Sequence, residues 1–276
     1  MIIVEILKVI VIGIVEGITE WLPISSTGHM ILLDELISLK LSHEFFEMFL
    51  VVIQLGAVLA VPIYFWKRLN PFVESRSERV LKLCLWGKVF VGAIPAALLG
   101  LVFDDLFDKY LYNYLVVAIS LIAYGVIFIL NAKNRAECKY TIERVESLSF
   151  KDALKIGAFQ ALSLIPGTSR SGSTIIGGMV CGASREVSAE FSFFMAIPIM
   201  LGASGLKILK FVLGGFVASG EEILLLAIGI TVSFLVSLLV IKFLIDFVKN
   251  HDFKVFGYYR IILGTAVLLY FYLKRF

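Results

Sequence analysis

Glu16 and Glu20 stand four residues apart inside an apolar stretch, on one face of any helix that carries them. An ionised carboxylate in that setting is costly and marks function by default. Two adjacent carboxylates both stay ionised only with a cation or a base between them, and a hard, oxygen-seeking ion such as Mg²⁺ or Ca²⁺ meets that need. The plainer reading is a protonated, hydrogen-bonded pair between helices. Directly downstream runs Pro23-Ile24-Ser25-Ser26-Thr27-Gly28-His29. Ser25 or Ser26 suits the N-cap of a following helix. His29 lies three residues past Ser26, and a serine with a histidine is the minimum for an activated nucleophile. A histidine alone in a membrane is more often a packed hydrogen-bonder.

A second run reads Pro166-Gly167-Thr168-Ser169-Arg170-Ser171-Gly172-Ser173-Thr174. Glycines such as Gly172 let the backbone approach an anion, and the hydroxyls and amides of a helix start cradle it. The planar fork of Arg170 suits a phosphate. The plainer reading is an ion pair between Arg170 and a glutamate that ties the two runs together, and both hold in the empty protein. Acid pair, hydroxyls and anion cradle together imply an anionic, phosphorylated and lipid-borne substrate, since a soluble phosphate ester need not be processed inside a membrane.

The elements that position these residues must lie in lipid. The chain has 276 residues, 59% hydrophobic and 17% charged, which leaves too little polar surface for a soluble domain. The net charge of +3 gives no sign of nucleic acid, and Cys84, Cys138 and Cys181 have neither disulfide nor metal spacing. No cleavable leader is expected at the N-terminus. Six stretches are long and apolar enough to span: 45–66, 81–103, 111–130, 190–213, 223–248 and 257–273. Two further apolar regions, 2–39 and 151–183, are broken at the polar runs above. The loops 67–82, 131–152, 184–189 and 249–256 hold 13 Lys and Arg, among them Arg135 and Lys139. The alternate connections hold 4, including Arg275, so the first set is expected in the cytoplasm. Segment 151–183 then enters and leaves on one side, as a re-entrant hairpin.

Shifted by 144 positions, the chain resembles itself: Glu16 meets Gln160, Ser25 meets Ser169 and Gly28 meets Gly172. The matching spans run in opposite directions, so the expected fold is a single all-α membrane domain over 1–276 with an inverted-topology repeat. One half covers about 1–131 and the other about 150–276, giving six transmembrane helices and two re-entrant helical hairpins whose breaks face each other. Lys207, Lys210, Lys242, Asp246 and Arg260 read as side chains that snorkel from span ends. Glu190 reads as structural, and Trp21 as an interfacial anchor or a packed ring.

The runs Glu16-Gly17-Ile18-Thr19-Glu20-Trp21-Leu22-Pro23-Ile24-Ser25-Ser26-Thr27-Gly28-His29 and Pro166 to Gly172 resemble the two signature motifs of the bacterial undecaprenyl-diphosphate phosphatases, the integral-membrane family linked to bacitracin resistance. The likeness extends over the full chain. It implies hydrolysis of undecaprenyl diphosphate to the monophosphate and inorganic phosphate, which recycles the lipid carrier for cell-wall synthesis. It also implies a divalent cation on Glu16 and Glu20, a multi-pass place in the bacterial cytoplasmic membrane, a site open to the outer face, and homodimers. Carried over by motif, the catalytic positions are Glu16, Glu20, Ser26, His29 and Arg170. Ser25, Thr27, Ser169 and Thr174 lie near the phosphates, with Gly28, Ser171 and Gly172 in the same cradle. Ser26, His29 or water is the nucleophile. The rival reading is a transporter or flippase for an anionic lipid, because inverted repeats with broken helices also build transporters.

Overall fold

The computed structural model of the chain describes residues 2–111, 113–134 and 140–274. Arg135, Cys138, Lys139 and Arg275 lie outside the described residues. Among those described no strand forms; the one extended contact is an isolated bridge between Ile142 and Ala183. The helices are α1 (Ile2–Thr19), α2 (Ser26–Leu36), α3 (His43–Val52), α4 (Gln54–Tyr64), α5 (Trp66–Leu69), α6 (Arg76–Leu111), α7 (Tyr114–Asn134), α8 (Phe150–Ala161), α9 (Arg170–Val180), α10 (Arg185–Leu213), α11 (Gly220–Asn250) and α12 (Lys254–Leu273).

Six helical segments are long and apolar enough to cross a bilayer: His43–Tyr64, Arg76–Phe103, Tyr114–Asn131, Arg185–Leu213, Gly220–Asn250 and Lys254–Leu273. Each overlaps a span expected from the sequence. The first is α3 and α4 joined at Ile53, where Gly56 N–H bonds back to Ile53 O at 3.1 Å and tightens the turn. The outward faces are apolar, with Leu239 and Ile262 72% and 69% exposed. A surface of that kind is stable against lipid and not against water. The protein is therefore a multi-pass membrane protein.

Neither polar run continues as helix. α1 stops at Thr19 and α2 starts at Ser26; α8 stops at Ala161 and α9 starts at Arg170. The residue before each second helix is a serine with a left-handed backbone, Ser25 at φ 72° and Ser169 at φ 73°. Each caps its helix through its side chain, Ser25 Oγ accepting from Gly28 N–H at 3.4 Å and Ser169 Oγ from Gly172 N–H at 3.1 Å. A non-glycine residue held at positive φ costs about 1–3 kcal/mol and persists only where its surroundings fix it.

The packing brings the breaks together. α1 lies on α11, α8 on α6 and α7 on α12, while α10 packs on both α3 and α4. Glycines permit the close crossings: a Cβ at Gly157 would fall 2.2 Å from Gly92 O, and one at Gly257 would fall 2.7 Å from Gly125 O. Gly157→Ala is therefore expected to lower stability by about 1–3 kcal/mol through the forced shift of α8 from α6. A methyl group at Gly202 would meet no atom within 4 Å, so Gly202→Ala gains up to about 1 kcal/mol of helix propensity. Thermal unfolding in detergent, with midpoints moving in opposite directions, checks the pair.

Candidate active site

The last turn of α1 carries Glu16 inward, and the turn that follows carries Glu20; they are 1% and 6% exposed. Across the contact, the first residue of α9 is Arg170. Its guanidinium donates from NH2 to Glu20 Oε1 at 2.8 Å and from NH1 to Ser192 O of α10 at 2.8 Å. It also sits 5.4 Å from the centre of the Trp21 ring. Trp21 is wholly buried against Phe193, so it is a packed ring and not an interfacial one. Two residues 150 apart in sequence thus meet inside the protein, as the paired breaks require.

The second Glu20 oxygen accepts from Ser26 Oγ at 3.0 Å. Ser26 is therefore bonded to Glu20 rather than to His29. His29 Nδ1 lies 2.7 Å from Ser25 O and Nε2 lies 2.7 Å from Tyr259 Oη. A carbonyl only accepts, so Nδ1 carries the hydrogen; in the neutral ring Nε2 then accepts from the tyrosine. The rings of His29 and Tyr259 are parallel within 8°.

The hydroxyls of the second run have partners within the protein, and Ser171 is the one that reaches across to the first break. Ser171 Oγ bonds to Glu20 O at 3.1 Å and Leu22 O at 3.3 Å. Thr174 Oγ1 donates into its own helix, to Arg170 O at 2.9 Å, and lies 2.6 Å from Ser192 Oγ. Ser169 Oγ is occupied by Gly172 N–H and sits 3.2 Å from Ser171 Oγ. The open amides of this helix end are then those of its first two residues, Arg170 and Ser171. Thr27 is half-buried, and Gly28 is buried against Leu121.

Two observations bear on a cation. Among the described residues no group of three or more His, Cys, Asp or Glu side chains is disposed around a metal position. Yet Glu16 Oε1 is buried with no hydrogen-bond partner, and its charged neighbours are Glu20 and Arg170. An orphaned carboxylate oxygen beside a second carboxylate fits a hard cation whose remaining ligands come from substrate and water. In the second half Gln160 takes the place of Glu16 and is fully buried, with its amide likewise unpartnered. Glu190 pairs with Arg68 at 2.5 Å, consistent with a structural role.

One expectation is corrected. Arg260 does not snorkel. It is 0% exposed, and its guanidinium donates to Pro23 O at 3.2 Å, Gly167 O at 2.7 Å and Thr168 O at 3.0 Å. Arg260 and Tyr259 are the residues of this centre that sequence reasoning missed. A signal existed for Arg260, since an arginine three residues inside a 257–273 span is not at its end; tyrosines are common near membrane surfaces, and Tyr259 carried none.

The fold and the centre define an integral membrane protein with a polar site built at two helix breaks. Its kinship is specific. The family model of the bacitracin resistance protein BacA matches residues 9–266, and the chain belongs to that family. It is 55% identical over 270 residues to an undecaprenyl-diphosphatase of Enterococcus faecalis, covering 96% of this chain and 97% of the relative. It is 55% identical to an undecaprenyl-diphosphatase of Acetivibrio thermocellus, over 98% and 99% of the two chains. With undecaprenyl-diphosphatase 1 of Clostridioides difficile it shares 54% identity over 98% and 97%.

Proposed function

We infer that this chain is an undecaprenyl-diphosphatase: it hydrolyses undecaprenyl diphosphate to undecaprenyl phosphate and inorganic phosphate. The observation that carries the reading is the convergence of Glu20, Ser26 and Arg170 from two distant breaks on one buried centre. The near-identical lengths and 55% identity of relatives bearing that name support it. The equivalent caps at Ser25 and Ser169 support the inverted repeat and the two re-entrant hairpins. So does the packing, in which α1 on α11 mirrors α8 on α6 and the third spans α7 and α12 face each other. The basic loops support the orientation that puts them in the cytoplasm, and the family likeness supports a seat in the bacterial cytoplasmic membrane with the site open to the outer face.

The lipid tail stays in the bilayer and the diphosphate enters between the breaks. Arg170 Nε is buried without a partner and is the donor free to take a phosphoryl oxygen, helped by the first amides of α9. Ser26 Oγ attacks the terminal phosphorus and its proton passes to Glu20 Oε2, its hydrogen-bond partner. The bridging P–O bond breaks and undecaprenyl phosphate leaves; water then attacks the phosphoserine and releases inorganic phosphate. Glu16 and Glu20 would hold a divalent cation, which supplies charge neutralisation of the phosphate oxygens. Ser171 and Thr174 act by fixing the cradle. Tyr259 fixes the His29 ring through Nε2, and the water that attacks the phosphoserine passes its proton through the tyrosine hydroxyl to that nitrogen.

Purified protein in detergent is expected to release one phosphate per undecaprenyl diphosphate. A transporter releases none, so absence of phosphate overturns the reading. Tyr259→Phe removes one hydrogen bond, and is expected to lower kcat about tenfold, the worth of about 1.4 kcal/mol. Steady-state kinetics check this, and an unchanged kcat removes Tyr259 from the site. Rapid quench with labelled substrate is expected to trap phosphate on Ser26.

A further inference from the structure

Arg260 is a fully buried cation, yet among the described residues no carboxylate is among its partners. They are three backbone carbonyls and the ring of Tyr124, 5.3 Å from the guanidinium carbon. Its Nε is buried and unpartnered. An arginine inside a membrane without a counter-charge is costly, and such groups are kept where they serve a site. The location fits that rule. Pro23 belongs to the first break and Gly167 and Thr168 to the second, so one planar fork spans both. A Cβ at Gly172, at the start of α9, would lie 3.5 Å from Arg260 NH1, so the charge sits beside the anion cradle. The reach is built into α12. A Cβ at Gly257 or Gly264 would meet backbone oxygens of α7, Gly125 O at 2.7 Å and Ala118 O at 2.8 Å, and this close crossing puts Arg260 at the level of the breaks.

We propose that Arg260 is a positioning residue of the diphosphate site. Its guanidinium sets the separation of the two breaks through the Pro23, Gly167 and Thr168 carbonyls, and the substrate's phosphate supplies the counter-charge that the protein lacks. Geometry and charge are separable. A lysine keeps the charge but cannot hold three carbonyls on two segments with a fork. A glutamine keeps donors but loses the charge. The inference rests on the hydrolytic reading, and the wild-type assay distinguishes the two failures: no phosphate release from wild type defeats the reading, whereas normal release with indifferent Arg260 variants defeats only the inference.

The experiment measures kcat, KM and inhibition by inorganic phosphate for wild type, Arg260→Lys and Arg260→Gln in detergent, with thermal unfolding alongside. Arg260→Lys is expected to lose about 10- to 100-fold in kcat with KM and phosphate inhibition within about threefold of wild type, as misalignment of a preset site dictates. Arg260→Gln is expected to raise both KM and the half-inhibiting phosphate concentration by about tenfold, the order of one lost charge-assisted contact. A role in folding alone lowers kcat only as far as the folded fraction falls and leaves KM and phosphate inhibition of Arg260→Gln at wild-type values; kcat losses that match the folded fraction in both variants, or wild-type KM and phosphate inhibition in Arg260→Gln, overturn the proposal. Should Arg260→Gln fail to fold, Arg260→Lys decides alone: a kcat per folded molecule at least about tenfold below wild type supports the proposal, and a kcat per folded molecule within about threefold of wild type overturns it.

Discussion

Arg170→Ala is expected to lower phosphate release from undecaprenyl diphosphate by about 10³-fold or more, at the upper end of what removing one preorganised donor costs. The expectation is large because Arg170 has three tasks. It anchors on Ser192 O, it holds Glu20 Oε1, and its unpartnered Nε is left as the donor for a phosphoryl oxygen in the proposed mechanism. Truncation also leaves Glu20 buried without its counter-charge, which costs about 3–5 kcal/mol of stability for a broken buried pair. Arg170→Lys separates these effects. It restores the charge beside Glu20 but not the two-sided fork, so it is expected to recover stability and to regain only part of the rate. Phosphate release and thermal unfolding measured on both variants check this. An Arg170→Ala protein that turns over at the wild-type rate removes Arg170 from the chemistry.

Glu16→Gln combined with Glu20→Gln is expected to abolish turnover and, with it, any response to divalent ions. Glutamine matches the carboxylates in shape, so the packing of α1 on α11 survives while both charges are lost. The readout need not be activity. An ion that binds the folded protein raises its unfolding midpoint, by about 2.7 kcal/mol of added stability at a hundredfold excess over Kd. Wild type is expected to gain stability with millimolar Mg²⁺ or Ca²⁺ and to lose it with chelator, and the double variant to respond to neither. If the double variant still gains stability with the ion, the cation lies elsewhere.

The spans were legible because a bilayer demands about 20 apolar residues, and few other forces write so long a pattern. The breaks were legible for the converse reason: Pro23, Ser25 and Gly28, then Pro166, Ser169 and Gly172, interrupt helices where no water is available to satisfy the backbone. An ion pair between Arg170 and a glutamate was legible from charge, while the choice of Glu20 over Glu16 needed the structure. What the sequence did not reveal depends on rotamers and on helix depth. Ser26 and His29 share a helix face by spacing, yet the left-handed turn at Ser25 aims Ser26 back at Glu20, while His29 reaches its own break's carbonyl and Tyr259. Ser171 and Thr174 were expected near the phosphates by type, and the partners each hydroxyl takes within the protein were not legible in the sequence. Arg260 was misread because its depth is set by the close crossing of α12 on α7, a property of glycines that hydropathy does not register.

The most direct test of the central claim is an experimental structure of the full chain with a divalent cation and a non-hydrolysable methylene diphosphonate lipid. One diphosphonate is expected between the 16–29 and 166–174 segments, with Arg170 on a phosphonate oxygen, Ser26 facing the terminal phosphorus, and the cation on Glu16 and Glu20. A head group bound elsewhere, with Glu20 and Arg170 still closed on each other, would contradict that claim.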